Sequence, residues 1–137
     1  MQLCSACLLG ICCRYDGKSK PNKKVLSLLK EDVLIPVCPE QLAGLPIPRG
    51  PFERKDEQVF HQDGTDFTAE FKRGAKEVLK IAQLYDIKKA IFKQRSPSCG
   101  CGQIYDGRFT GTVIKGDGIT TQLLKQHGME VCMEEDI

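Results

Sequence analysis

The chain lacks any apolar run near the roughly 18 residues that a membrane-spanning helix needs. Its first residues carry no basic region, long apolar run or small-residue cleavage site, so a signal peptide is not expected and a cytoplasmic location is. It also lacks a charge of one sign. Twenty Lys and Arg against 18 Asp and Glu leave +2, too little to attract nucleic acid by bulk charge. The one basic cluster, Lys18 to Lys24 with Lys30, reads as a solvated loop and helix face. Histidine is scarce: His61 and His127 have no ligand-like spacing, and both are read as non-metal. No linker divides the 137 residues, so a single domain over 1–137 is expected.

What is there in quantity is cysteine. Eight cysteines in a cytoplasmic chain do not form a disulfide framework, because that compartment keeps thiols reduced. Packing thiols, metal ligands and redox groups remain. Three of them occupy equivalent places. Cys7 follows the run Met1 to Cys4, Cys38 follows Val33 to Val37, and Cys99 follows Ala90-Ile91-Phe92 through the tight turn Arg95-Ser96-Pro97-Ser98.

Between these points the pattern alternates. Val25, Leu26, Leu28 and Leu29 predict a short helix over 22–30, with Asn22 as a cap. Residues 41–63 carry Pro46, Pro48 and Pro51 with Gly44 and Gly50, and read as a long functional loop leaving from Cys38. Phe67, Phe71, Ala75, Val78, Leu79 and Ala82 make one apolar face of a helix from 65 or 66 to 85. Residues 103–111 read as a hairpin or turn. A last helix spans 119–127, stopped by Gly128, and a strand spans 129–133. The order predicts an α/β, Rossmann-like domain: a mainly parallel sheet of four to five strands with helices on both faces.

In such a sheet ligands bind beyond the carboxyl ends of the strands, where Cys7, Cys38 and Cys99 would converge. Three thiolates suit a zinc site with an open position, or a [4Fe–4S] cluster with one iron left open, which can bind a soft substrate atom such as sulfur. Inert buried cysteines are the competing reading, since spacing alone is a weak signal. Cys13 and Cys101 stand close enough in sequence to join the ligands or act as resolving thiols. Cys4 and Cys132, inside strands, read as core. Glu40 follows Cys38-Pro39 and falls at the mouth of the same crevice, as a general base, a proton relay or an ordinary helix-start carboxylate. Ser96 and Ser98 would bind substrate or cluster sulfur, or satisfy the turn backbone. Arg14, Arg49 and Arg95 are candidates for an anionic or heterocyclic substrate, and equally surface charges.

Six blocks add a resemblance. Ser5-Ala6-Cys7-Leu8-Leu9-Gly10, Cys13-Arg14-Tyr15-Asp16-Gly17, Cys38-Pro39-Glu40, Gly44-Leu45-Pro46 with Pro48-Arg49, Ser96-Pro97-Ser98-Cys99-Gly100 and Ile104-Tyr105-Asp106-Gly107 resemble the signature blocks of the domain of unknown function 523 family, from Cys7 to about Val131. The resemblance implies desulfuration of a thiolated pyrimidine such as 2-thiouracil. It implies a [4Fe–4S] cluster on Cys7, Cys38 and Cys99, the thiocarbonyl sulfur on the open iron, and attack by a water activated by an acidic group, without net redox. Glu40, Ser96 and Ser98 are the candidates for the acid–base and positioning roles. The implied partner is a small thiolated nucleobase, not a membrane or nucleic acid. Material handled in air is expected to show an empty site, zinc or an adventitious disulfide. The rival functions are a zinc-binding, non-catalytic interaction module and a thiol-redox protein using Cys99 and Cys101.

Overall fold

The computed structural model describes residues 1–137. In chain order, β1 (Gln2–Ser5) passes through a 3-10 turn (Ala6–Leu9) to α1 (Lys23–Ser27) and β2 (Leu34–Val37). Then come α2 (Pro39–Leu42), β3 (Phe52–Lys55), β4 (Gln58–His61) and α3 (Thr68–Leu84). The rest is β5 (Lys89–Phe92), β6 (Gln103–Tyr105), β7 (Val113–Lys115), α4 (Ile119–Gln126) and β8 (Glu130–Met133). The Asn22 carboxamide caps α1 by accepting from the Val25 N–H at 3.0 Å.

The apolar strands pair in the order β2-β1-β5-β8, and every pairing is parallel. β1 to β2 steps one way across the sheet, whereas β5 and β8 lie on the other side of β1. Right-handed crossovers therefore send α1 to one face and α3 and α4 to the other. The core follows. Val25 packs with Cys4, Leu8, Leu34 and Ile91. Val78, Ala82 and Leu124 pack with Leu3, Val37, Ala90 and Phe92. Neighbouring strand residues serve opposite faces, which is why β1 and β5 are apolar at consecutive positions. Pro36, which has no N–H to donate, stands exposed on the edge strand β2.

The 41–63 stretch is not one long loop. After the short α2 it forms the antiparallel hairpin β3-β4, whose two-residue turn puts Asp56 at φ 54°. The hairpin holds because Phe52 meets Phe67 and Phe71 edge-on, with ring centroids 5.0 and 5.2 Å apart. The prolines hid it by breaking only the connection that precedes it, around the cis Ile47–Pro48 bond. Residues 103–115 form a second antiparallel pair, β6-β7.

Two glycines bring the site elements together. A Cβ at Gly74 on α3 would strike the carbonyl of Pro39, and one at Gly118 would strike the backbone of Ser98. Only glycine lets α2 and the Ser98 turn sit this close to their neighbours.

Candidate functional site

The reversal of strand order between β1 and its neighbours opens a crevice at the carboxyl ends of β1, β2 and β5. Cys7 lies in the 3-10 turn after β1, Cys38 directly after β2, and Cys99 in the turn after β5. All three line one cavity of about 440 Å³, together with Cys13, Glu40, Arg49, Ser96 and Ser98. The convergence expected from the sequence is therefore made, and Glu40 and both serines share it.

A linear chain of hydrogen bonds runs beside the thiols. Arg49 Nε donates to Glu40 Oε1 at 2.9 Å, and Ser98 Oγ donates to Glu40 Oε2 at 2.9 Å. Ser98 thereby spends its only proton, so the 2.9 Å contact between the two hydroxyls has Ser96 as donor. Ser96 Oγ also accepts the N–H groups of Ser98 (3.1 Å) and Cys99 (3.0 Å), which builds the turn. The two serines thus differ: Ser98 touches the carboxylate and comes within 3.8 Å of Cys99 Sγ, whereas Ser96 shapes the turn and orients Ser98.

Arg49 lines the cavity, but its guanidinium is engaged within the chain. Its side chain is 4% exposed, and it also donates to the carbonyls of Cys13 (2.8 Å) and Pro46 (3.3 Å). It braces Glu40 and points Nη2 to within 3.9 Å of Cys38 Sγ. Arg95 pairs with Glu135 at 3.3 Å, and Arg14 lies over the Tyr15 ring. An arginine's role depends on what the fold puts within its reach, so no sequence signal separated the three.

Cys13 belongs to the cavity and Cys101 does not. Cys38 Sγ donates to the Cys13 carbonyl at 3.6 Å; the neighbouring Cys38 thiol lowers the Cys13 pKa, but the Cys7 thiol and burial prevail and push it up to about 11. Cys101 Sγ donates to the Val131 carbonyl at 3.3 Å, beside β8. Cys4 stands three residues before Cys7, a Cys-x-x-Cys spacing, yet it is fully buried in the core and its thiol is raised to about 12, first by burial. Cys132 packs against the same cluster. His61 pairs with Asp63, and His127 with the Leu123 carbonyl.

Three thiols from three separate strand ends, lining one cavity, are a donor set that fits an iron–sulfur cluster. Zinc gathers its sulfurs within about 2.3 Å of one point, whereas a four-iron cube takes its thiolates on separate corners. Burial pushes the Cys99 thiol up to about 12, with Cys38 and Glu40 adding negative charge. Cys38 is raised too, by its contact with Cys13 and then by burial. Sulfurs that resist ionising alone form thiolates once a cation compensates them, which is what a bound iron cluster supplies.

The sequence model of the 2-thiouracil desulfurases matches residues 3–136. The chain belongs to that family. A solved structure described as the [4Fe-4S]-dependent thiouracil desulfidase TudS superposes with a TM-score of 0.94 at 45% identity, covering 99% of this chain and 91% of that one. The chain is also 37% identical to the uncharacterized protein YbbK of Bacillus subtilis (strain 168), over 100% of its own length and 97% of the relative's. The family blocks therefore map onto the walls of a single cavity. Within this desulfurase fold no helix is long and apolar enough to cross a membrane.

Proposed function

We propose that this chain is a [4Fe–4S]-dependent desulfidase that hydrolyses 2-thiouracil to uracil and sulfide. One observation carries the reading: three thiols from three strand ends share a cavity with a braced carboxylate, in a chain matched to the 2-thiouracil desulfurases over residues 3–136. Cys7, Cys38 and Cys99 are the residues that would hold the cluster. When bound, it supplies Lewis acidity and an iron free of thiolate with affinity for sulfur.

The chain's own residues supply the rest. 2-Thiouracil and water become uracil and hydrogen sulfide; the sulfur stays at the sulfide level, so no external electron donor or acceptor enters. Glu40 takes the proton of a water as its oxygen bonds to C2 of the ring. The C2–S bond then breaks: the departing sulfur takes back the proton held by Glu40, and the hydroxyl now on C2 gives up the second proton as the uracil carbonyl forms, while Ser98 keeps the carboxylate oriented by its hydrogen bond. Arg49 holds the carboxylate in place from its far side throughout. A cytoplasmic setting, whose reducing pool keeps thiols free, suits this donor set.

Protein purified without oxygen should be brown and contain about four irons and four sulfides per chain. It should convert 2-thiouracil to uracil with release of sulfide in equal amount. A cluster-loaded protein inert toward 2-thiouracil, or one that takes up only zinc after iron reconstitution, would overturn the reading.

A further inference from the structure

Glu53 is a buried carboxylate that the reaction chain leaves unused. It sits on β3 at 9% exposure and lines the same cavity, beside Phe52, Tyr105 and Phe109. Its Oε1 accepts the N–H groups of Gly107 (3.0 Å) and Phe109 (3.1 Å). No lysine, arginine or histidine pairs with it; the ion pairs of the chain lie elsewhere. Its Oε2 has no hydrogen-bond partner, yet it is not among the atoms sealed from solvent without a partner, which are Gln94 Oε1 and Thr120 Oγ1. A nine-tenths-buried carboxylate on the cavity wall therefore keeps one oxygen without a partner and not sealed from solvent.

We propose that Glu53 Oε2 accepts a ring N–H of the substrate and so selects nucleobases that are unsubstituted at that nitrogen. The inference rests on the desulfidase reading for the identity of the ring. In 2-thiouracil an N–H flanks C2 on each side, and each is a good donor to a carboxylate. Holding one of them restricts the directions open to the C2–S bond, because that N–H is attached to C2. Phe109 belongs to the same device: Glu53 holds its N–H while its backbone stands at φ 58°, and its ring lines the cavity. Gly107 is required beside it, since a Cβ there would come within 2.7 Å of Lys55 Cβ at a φ of 92°.

The test uses uracil, 1-methyluracil and 3-methyluracil as probes, with binding to anaerobic, cluster-loaded protein measured by calorimetry. One of the two methyl compounds should bind at least about tenfold more weakly than uracil, the loss expected for a buried charged hydrogen bond. Glu53→Gln keeps an oxygen for the Gly107 and Phe109 N–H groups and turns the free acceptor into a donor. It should weaken uracil binding by about 10- to 150-fold, leave the rejected methyl compound unchanged and collapse the discrimination. Iron content should match the unaltered protein. Equal binding of all three probes, no binding of uracil, or an equal loss for all three in the variant would each overturn the proposal. The probe series on the unaltered protein decides the matter even if the variant does not fold. The two readings fail separately: selective uracil binding without turnover of 2-thiouracil sinks the desulfidase activity and supports Glu53 as the recognition residue.

Discussion

Replacing Arg49 with methionine tests how the carboxylate at the site is held. The Arg49 and Glu40 side chains are 4% and 12% exposed, so their pair is shielded from water. Removing one partner of a buried pair costs about 3–5 kcal/mol, because the other charge stays behind uncompensated. The Cys13 and Pro46 carbonyls lose donors in the same step, which places the expectation in the upper part of that range. With 137 residues the unfolding entropy is about 0.29 kcal/mol/K, so a loss of about 4–5 kcal/mol should lower Tm by about 14–17 °C. Arg49→Lys keeps the charge but cannot reach three acceptors at once, and should fall between the two. The assay is thermal unfolding under nitrogen, with and without cluster, for Arg49→Met, Glu40→Gln and the double variant. A coupling energy of about 0.5–3 kcal/mol is expected for residues in direct contact. Additive effects, or a Tm within 3 °C of the unaltered protein (about 1 kcal/mol on this scale), would refute the bracing role.

Other outcomes follow from the same geometry. Cys7→Ser, Cys38→Ser and Cys99→Ser should each abolish retention of iron and sulfide, whereas Cys132→Ser should not; metal analysis of anaerobic protein decides it. Glu40→Gln should keep the cluster and lose turnover, and full activity in that variant would remove Glu40 from the mechanism. Ser98→Ala should lower kcat with iron content intact, while Ser96→Ala should also lower iron retention, because two turn N–H groups lose their acceptor. Gly74→Ala forces a methyl toward the Pro39 carbonyl and must displace α2; a loss of about 1–3 kcal/mol in stability is expected, with weaker iron retention in the same preparation.

Much of the fold was legible in the sequence. Hydrophobic period distinguishes a strand buried on both faces, such as Ala90-Ile91-Phe92, from the one-sided stripe of α3, and local chemistry marks ends such as Asn22 and Gly128. The position of each cysteine just past a strand was equally local, and a parallel sheet turns that local fact into convergence. The β3-β4 hairpin was not legible, because Pro46, Pro48 and Pro51 dominate the composition of its approach, while the contacts that hold Phe52 come from α3. Three things were settled only in three dimensions: that Arg49 of the three arginines braces Glu40, that Cys13 rather than Cys101 enters the cavity, and that Ser98 rather than Ser96 meets the carboxylate. The physical reason is common to all three. Residue type and spacing determine which groups exist and which element carries them, whereas a hydrogen bond depends on distances of a few tenths of an ångström between segments far apart in the chain.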